Sequence, residues 1–524
     1  MEAINTLDSR SRDSARIRSA LIVCGVALAS AALYLATPTR DYFWDGITFA
    51  LQIRKAGTGR LDLLFHQNHL LYNLFGFGLS GLGRILGLDV RTLSLLQIAN
   101  SLIAAAGIST FYTTVKRVTG DRYAAGVAAG FLGVGATWWK LSTDADAYIA
   151  AVVLLIVCVN SLLREGPRYW TASLAFGLAM LTHELASLFS VALLTILILS
   201  RSDKRRRDGL LLTLTAGWAL ALAVYAVCGF ALYRISDPVA LLRWVTSNPS
   251  ALPLQWNPLP GIWPSARANL DLIAGHGVSV FLKHPGPLGW SLAGLAALAC
   301  IVAAIPAFER LRMISRSGVL SSLRTRPSVP AMLILSWIVP YLAFLLFFEP
   351  QDPYLRLFYA PAIAMGLGLV VAIARRHRTE GTYPRILAGA AASAVSALAL
   401  FNLAFFIAPH MRAESNPLVV AAKAARVRWD SKTVIYYAAR NEADTTFEYF
   451  NEQTDWRRIS RESLPTIDSE IADVLQRGGS VWLNSGAAGL RGDELLQNYE
   501  ILEDVRVDVP FAPARYIKIV PRSF

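Results

Sequence analysis

Charge and cysteine are both scarce in this chain. Only 17% of its 524 residues are charged, and its four cysteines, Cys24, Cys158, Cys228 and Cys300, all fall inside apolar runs. That spacing excludes a disulfide framework and a thiolate metal centre, and it leaves the cysteines as small buried hydrophobes. What the chain has in excess is apolar surface. Hydrophobic residues make up 54% of it and its mean hydropathy is +0.42, which a soluble protein of this length does not reach. The formal net charge of +13 would suit a nucleic-acid partner, but the basic residues sit in short loops between apolar runs. That is the positive-inside pattern, which sets orientation in a membrane; no nucleic-acid partner is expected.

Apolar runs long enough to cross a bilayer, about 17–25 residues each, lie near 18–36, 92–115, 122–140, 145–163, 209–233, 288–306, 329–348, 358–374 and 386–408. The run 169–200 is too long for one helix, and His183-Glu184 interrupts it, so two short helices meeting at that turn are expected. Charge supports the pair: it places Arg201-Ser-Asp-Lys-Arg-Arg-Arg207 on the same side as the basic N-terminus (Arg10, Arg12, Arg16, Arg18). The expected topology has eleven spans, the N-terminus cytoplasmic and the C-terminus outside. Lys116-Arg117, Arg164, Arg168, Arg310, Arg312, Arg316, Arg375-Arg376 and Arg378 then all face the cytoplasm. A cleaved signal peptide is the rival for the first span, whose apolar stretch is longer than the usual signal core.

The expected fold is therefore an all-α polytopic membrane domain followed by a small extracytoplasmic α/β domain. Residues 1–17 read as a cytoplasmic tail, 18–409 as the membrane domain with a first outer loop at 37–91, and 410–524 as the second domain. In that second domain Thr433–Ala438, Ser480–Asn484 and Tyr516–Val520 read as strands and 464–477 as a helix. It carries no phosphate-loop glycines and no nucleophile elbow, so a supporting, acceptor-binding or lid role is expected of it.

Acidic and histidine residues near span ends gather on the outer face, and ionisable groups beside a membrane are functional candidates. Asp45 opens a stretch whose Ile47, Phe49-Ala50-Leu51 and Ile53 form an apolar face able to lie along the bilayer surface. An acid there can act as a general base toward an acceptor hydroxyl or amine, hold a metal that binds phosphate, or simply favour a helix N-terminus. Asp41, four residues earlier, reads as a cap or supporting partner. His66 and His69 are neighbours if their segment is helical; without a third ligand they suit phosphate or sugar hydrogen bonds better than zinc, and Tyr72 and Asn73 continue the polar rim. Asp144 and Asp146 flank the start of the fourth span, with Tyr148 two residues on. His183 and Glu184 form the turn already noted. Arg356 opens the tenth span and can hold a lipid-linked phosphate bidentately, or pair with Glu349 or Asp352.

Four motifs in this order resemble the GT-C class of integral membrane glycosyltransferases. They are closest to the protein O-mannosyltransferase and aminoarabinose-transferase-like group and to bacterial membrane proteins with a mannosyltransferase-like domain. The motifs are Asp45-Gly-Ile-Thr-Phe49-Ala50; the segment His66 to Tyr72; Trp138-Trp139 through Asp146-Ala-Tyr148; and Gly177-Leu-Ala-Met-Leu-Thr-His183. The likeness covers residues 15–200 by motif and the remainder by topology. It implies a hexosyl- or pentosyltransferase that takes sugar from a polyprenyl-phosphate donor with inversion. It also implies Asp45 as base, Asp146 as a second active-site acid, His66 and Tyr72 lining the donor pocket, and Arg356 near the lipid phosphate. A divalent metal is one option within it. The acceptor would be a protein, a glycolipid or a cell-wall polymer, and the setting a bacterial inner membrane among its lipids. This chain departs from the pattern where many relatives carry a second acid, since Gly46 stands there, and Gln67-Asn68-His69 replaces a Pro-Pro-Gly run.

Two other readings stay open. A transporter or lipid flippase fits the span count, but it would carry ionisable groups near the bilayer midplane and repeated halves, which this sequence lacks. A catalytically silent relative is the other.

Overall fold

The computed structural model describes residues 2–199, 203–246, 256–283, 286–287, 289–292, 294, 329–376, 383–438, 440–460, 464–490, 498–507 and 513–522. The chain divides into two compact units, Met1–Thr39 with Arg60–His410, and Arg40–Gly59 with Met411–Phe524.

The first unit is helical. With α2 (Trp44–Ala56) of the second unit interposed, its helices run α1 (Glu2–Ala36), α3 (Leu70–Ile85), α4 (Thr92–Thr119), α5 (Arg122–Val134), α6 (Ala136–Ser142), α7 (Ala147–Leu162), α8 (Tyr169–Thr182), α9 (Phe189–Leu199), α10 (Lys204–Val227), α11 (Pro238–Thr246), α12 (Leu259–Ala274), α13 (Gly277–Lys283), α14 (Val329–Phe347), α15 (Ala360–Arg376) and α16 (Tyr383–Asn402). Among the described residues six helical stretches are long and apolar enough to cross a membrane: Ile17–Ala36, Thr92–Thr119, Lys204–Leu232, Pro330–Phe347, Leu355–Arg376 and Gly389–His410. A seventh is possible only if α6 and α7, bent by 111° at their junction, count as one.

This is fewer than the eleven expected, for identifiable reasons. The run at 122–140 is not one helix: it breaks at Gly135, whose ψ of 133° ends α5. Asn402 satisfies the carbonyl freed there by donating from Nδ2 to Val134 O at 2.8 Å. At 13 residues, α5 is about 20 Å long, short of a ~30 Å hydrocarbon core. The run 169–200 is broken at His183 as expected, in extended backbone (φ −157°, ψ 125°), but its halves are short, 14 residues in α8 and 11 in α9. The span expected at 288–306 falls largely outside the described residues.

Helices α8 and α10 approach closely through small residues, as apolar helices in a bilayer do where dispersion contact replaces the hydrophobic effect. A Cβ on Gly177 would meet Gly217 O at 2.9 Å, and one on Gly217 would meet the Phe176 ring at 2.6 Å. Ala substitution at either glycine has to push the helices apart.

The second unit carries a five-stranded sheet of β1 (Thr433–Tyr437), β2 (Asp455–Arg458), β3 (Ser480–Asn484), β4 (Tyr499–Val507) and β5 (Ala514–Pro521), in the order β2-β1-β3-β5-β4. Strand β1 runs parallel to β2 and β3, and β5 runs antiparallel to β3 and β4. Val434, Tyr436, Val481, Leu483, Ile517 and Ile519 pack over Ile467 and Ile471 of the helix Leu464–Gln476. That helix, β1, β3 and β5 fall where the sequence suggests. Strands β2 and β4 do not announce themselves: β2 is four residues long, and β4 is an edge strand carrying Glu500, Glu503, Asp504 and Arg506, the charge pattern that protects an edge from further pairing.

Helix α2 belongs to this unit. It packs against the helix Glu442–Phe450, which opens with a capping box of Asn441 and Asp444. The apolar face of Ile47, Phe49, Ala50, Leu51 and Ile53, expected to lie on a bilayer surface, is instead buried in protein. Arg54 bridges to Glu452 at 3.0 Å and donates to the carbonyls of Tyr449 and Glu448. Lys55 pairs with Glu448, which also pairs with Arg440.

Candidate functional site

In the first unit, segments far apart in sequence meet around three histidines and a buried ion pair. The α6–α7 turn comes first. At 111° between the helices the turn carbonyls leave the regular helical ladder, and such groups need partners when buried. Helix α4 supplies them. Gln97 Nε2 donates to Thr143 O at 2.9 Å, Asn100 Nδ2 donates to Asp144 O at 2.8 Å and Asp146 O at 2.7 Å, and Ser101 Oγ donates to Ser142 O at 3.0 Å. Tyr72 OH in turn donates to Asn100 Oδ1 at 3.3 Å. Gln97, Asn100 and Ser101 stand at i, i+3 and i+4, one face of a helix. Three such polar residues inside an apolar span were a legible signal, and the sequence reading missed it.

The two aspartates of the turn are fully buried. Asp144 pairs with Lys140 at 3.1 Å, the lysine itself only 3% exposed, and accepts from its neighbour's amide, Ala145 N, at 2.8 Å. Asp146 caps α7 by accepting from Tyr148 N at 3.2 Å. Lys140 also lies 5.5 Å from the Tyr354 ring centroid.

The histidines stack beside this turn. His69 and His183 have ring centroids 4.8 Å apart, His66 and His69 are 6.0 Å apart, and the Tyr148 and Phe358 rings lie 4.6 and 5.0 Å from His183. His66 and His69 are not on a helix; a turn closed by His69 N donating to His66 O at 3.0 Å brings them together just before α3. Tyr225 and Tyr233 fix that turn by donating to Gln67 O at 2.7 Å and Phe65 O at 2.6 Å. His69 and His183 are buried, while His66 is the half-buried rim.

Burial dominates their titration, because a charged imidazole loses its hydration there. Burial, aided by His66, pushes His69 down to about 3. His183 falls well below its usual range by burial and by His69, and His66 is lowered by burial. All three are neutral at pH 7, so each ring has one donor and one acceptor. His66 Nδ1 accepts from Asn68 N at 3.4 Å and His183 Nδ1 accepts from Leu185 N at 3.2 Å, which puts the proton of each on Nε2. His69 Nδ1 sits 3.3 Å from Thr182 O, so its proton is on Nδ1. The cluster thus offers N–H donors without carrying charge.

Arg356 is fully buried. Its Nη1 donates to Asp352 O at 2.9 Å, and its Nη2 to Pro350 O and Ser265 Oγ, both at 2.7 Å. The guanidinium therefore clamps its own turn by backbone carbonyls, with no ion pair to Glu349 or Asp352 among the described residues. That turn delivers Phe358 to His183 and Tyr354 to Lys140. Asp352 is pushed up to about 6, first by burial and further by Glu349, against the Tyr354 amide and Arg356. Glu184 is the half-buried first residue of its 3-10 turn. Among the described residues no group of three His, Cys, Asp or Glu side chains is arranged to hold a metal ion. Asp41 and Asp45 stand in the second unit, Asp45 half-buried in the first turn of α2.

The fold is GT-C-like, in line with the motif resemblance. The chain is similar to ArnT of Cupriavidus metallidurans bound to undecaprenyl phosphate, with a TM-score of 0.58 and 11% identity over 95% of this chain and 97% of that one. It is also similar to the apo state of the same protein (TM-score 0.48, 13% identity, 96% and 98% covered). A third likeness is to the Archaeoglobus fulgidus oligosaccharyltransferase in complex with zinc and sulfate (TM-score 0.49, 12% identity, 94% and 72% covered). No family model and no curated protein sequence matches the chain. At these identities the likeness is one of fold.

Proposed function

We propose that this protein is a membrane glycosyltransferase that moves a sugar from a polyprenyl-phosphate donor to an acceptor on the extracytoplasmic face. The observation that carries the reading is the convergence in the first unit of three of the four resemblance motifs: His66–Tyr72, Asp144–Tyr148 and the Thr182-His183 turn. Nothing in helix packing alone requires those motifs to meet around neutral imidazoles. The shared fold with a protein whose structure holds undecaprenyl phosphate supports the same donor class.

In the proposed reaction an acceptor O–H or N–H attacks the anomeric carbon as the bond from that carbon to the phosphate oxygen breaks. Polyprenyl phosphate leaves, the configuration inverts, and a carboxylate base takes the acceptor proton, the role that the motif resemblance implies for Asp45. His66 and His183, each with its proton on Nε2, are suited to donate to the phosphate or the sugar as charge develops on the leaving oxygens. Tyr72, His69 and Asp144 hold the pocket's shape. Asp146, buried and capping α7, acts by fixing Tyr148 against His183. Arg356, with its Nη atoms committed to the 350–356 turn, serves as the turn's clamp.

A silent relative is the second reading, and one observation favours it: both aspartates of the α6–α7 turn are fully buried among internal partners. The separating experiment follows release of polyprenyl phosphate from a panel of polyprenyl-phosphate hexoses and pentoses in membranes containing the protein. The enzyme reading predicts release with wild type and a loss of at least roughly a hundredfold with Asp45→Asn, the usual scale for a general base. No release from any donor by a folded wild type would sink it.

A further inference from the structure

The other end of the first unit carries a site that sugar transfer does not use. Helix α7 runs from Asp146 at the histidine cluster to Leu162, about 24 Å away at 1.5 Å per residue. Around Leu162 two adjoining cavities of about 450 and 380 Å³ open between the ends of α4 and α7 and the starts of α8 and α10. Both are lined by Arg117 and Arg164; Arg205 and Arg206 line the larger, and Arg168 the smaller. Five guanidinium groups face two carboxylates, Glu165 and Asp203. Asp203 is already occupied as the N-cap of α10, accepting from Arg206 N at 3.1 Å. Arg117 donates to the Asn160 side chain and carbonyl. Among the described residues Arg164, Arg168, Arg205 and Arg206 make no ion pair. Like charges do not crowd a concavity without cost, so the pocket is built for an anion.

Its surroundings say which kind. An apolar cleft lined by Val159, Ile196, Leu210 and Leu333 shares Leu162, Leu163, Tyr169 and Arg206 with the larger cavity. Tyr169 lies so close on Gly209 that a Cβ there would stand 2.1 Å from its ring, which fixes the wall between the two. Beside the arginines Trp170 is 71% exposed and Leu174 53%, the aromatic and aliphatic pairing found where a helix meets the lipid interface. Cationic groups beside exposed apolar side chains match an amphiphile's headgroup and chain; the cleft itself, with about 20 Å³ of free space, is an apolar wall rather than a chain site. A free anion has no use for the wall.

We propose that this pocket binds the phosphate of an anionic membrane phospholipid, at the end of the bundle that the positive-inside rule assigns to the cytoplasm. The occupant ties α4, α7, α8 and α10 together at that end.

The test is native mass spectrometry of the full-length protein in mild detergent. It is titrated with phosphatidylglycerol, with phosphatidylcholine of the same chains, and with inorganic phosphate. Wild type should bind phosphatidylglycerol in clear preference to phosphatidylcholine. Arg164→Gln/Arg206→Gln should weaken phosphatidylglycerol roughly thirtyfold, taking ~1 kcal/mol per arginine at a membrane surface, and leave phosphatidylcholine unchanged. An unaltered Tm in lipid-free detergent shows that the variant folds; if it does not, Arg168→Gln/Arg205→Gln is read in the same way. Equal phosphatidylglycerol binding by wild type and a folded double variant would overturn the proposal. So would full displacement of the lipid by inorganic phosphate, which would make the pocket a free-phosphate site.

Discussion

Both units build an ion pair around a buried carboxylate, and they do it at different depths. In the first, Lys140 and Asp144 are 3% and 0% exposed. In the second, Glu448 is 7% exposed, but its partners Lys55 and Arg440 remain 29% and 28% exposed. A pair with both members desolvated gains little net stability, because the Coulomb attraction is spent offsetting lost hydration. Its members nonetheless cannot be removed singly without stranding a charge. A pair with one wet side can release its exposed partner to water. The Lys140–Asp144 pair is thus a device for holding the α6–α7 turn in one geometry, while the Glu448 cluster fastens α2 to the helix Glu442–Phe450.

The comparison can be broken most sharply at Lys140. Lys140→Met should destabilise the protein by about 3–5 kcal/mol, the scale for stranding a buried charge, read as a large fall in Tm in detergent. Adding Asp144→Leu should recover most of that loss; failure to recover would mean that the pair does more than neutralise itself.

The histidines supply the next effect. His69 is depressed in the folded state to about 3, against ~6.5 in the unfolded chain. Between those values the unfolded chain binds more protons, so stability is full above pH ~6.5 and falls as pH drops below it, by about 1.4 kcal/mol per pH unit for each such histidine. Tm measured from pH 7.5 to pH 5 should fall, and His69→Gln should flatten the slope. A slope unchanged in that variant would show that His69 is not the group being protonated.

The smallest effect is expected at Glu448. Glu448→Gln leaves Lys55 and Arg440 free to reach water, so a global cost of only about 1–2 kcal/mol is expected. The local consequence should be clearer: faster hydrogen exchange across 44–56, with the strands of the sheet unaffected. Uniform acceleration across the second unit would mean that α2 is part of its core rather than a fastened element.

How much of this was readable beforehand follows from how local each cause is. Strands β1 (Thr-Val-Ile-Tyr-Tyr) and β3 (Ser-Val-Trp-Leu-Asn) are short runs rich in apolar and aromatic residues, and the break at His183 is marked by a polar pair inside an apolar run. Each cause lies within a few residues. The gathering of His66, Asp144, Asp146 and His183 was legible as sidedness, since span ends on one face must be neighbours of some kind. The partner of α2 lies almost four hundred residues away, and nothing local to Ile47–Ile53 distinguishes a face meant for lipid from one meant for another helix. The break at Gly135 depends on Asn402 accepting the role of its missing partner. Arg356 read as a phosphate ligand or an ion-pair partner of Glu349 or Asp352 because the carbonyls that occupy it, Pro350 and Asp352, belong to a turn whose shape only the folded chain reveals.

The central claim is that a sugar on a polyprenyl phosphate is this protein's donor. The most direct measurement is mass spectrometry of the lipids that co-purify in mild detergent with wild type and with Asp45→Asn. A polyprenyl-phosphate sugar retained by the protein and enriched on the variant, which would bind it without turning it over, is the predicted result, and it would name the sugar. Ordinary phospholipids alone on both proteins would contradict the account and favour a transporter or a silent relative.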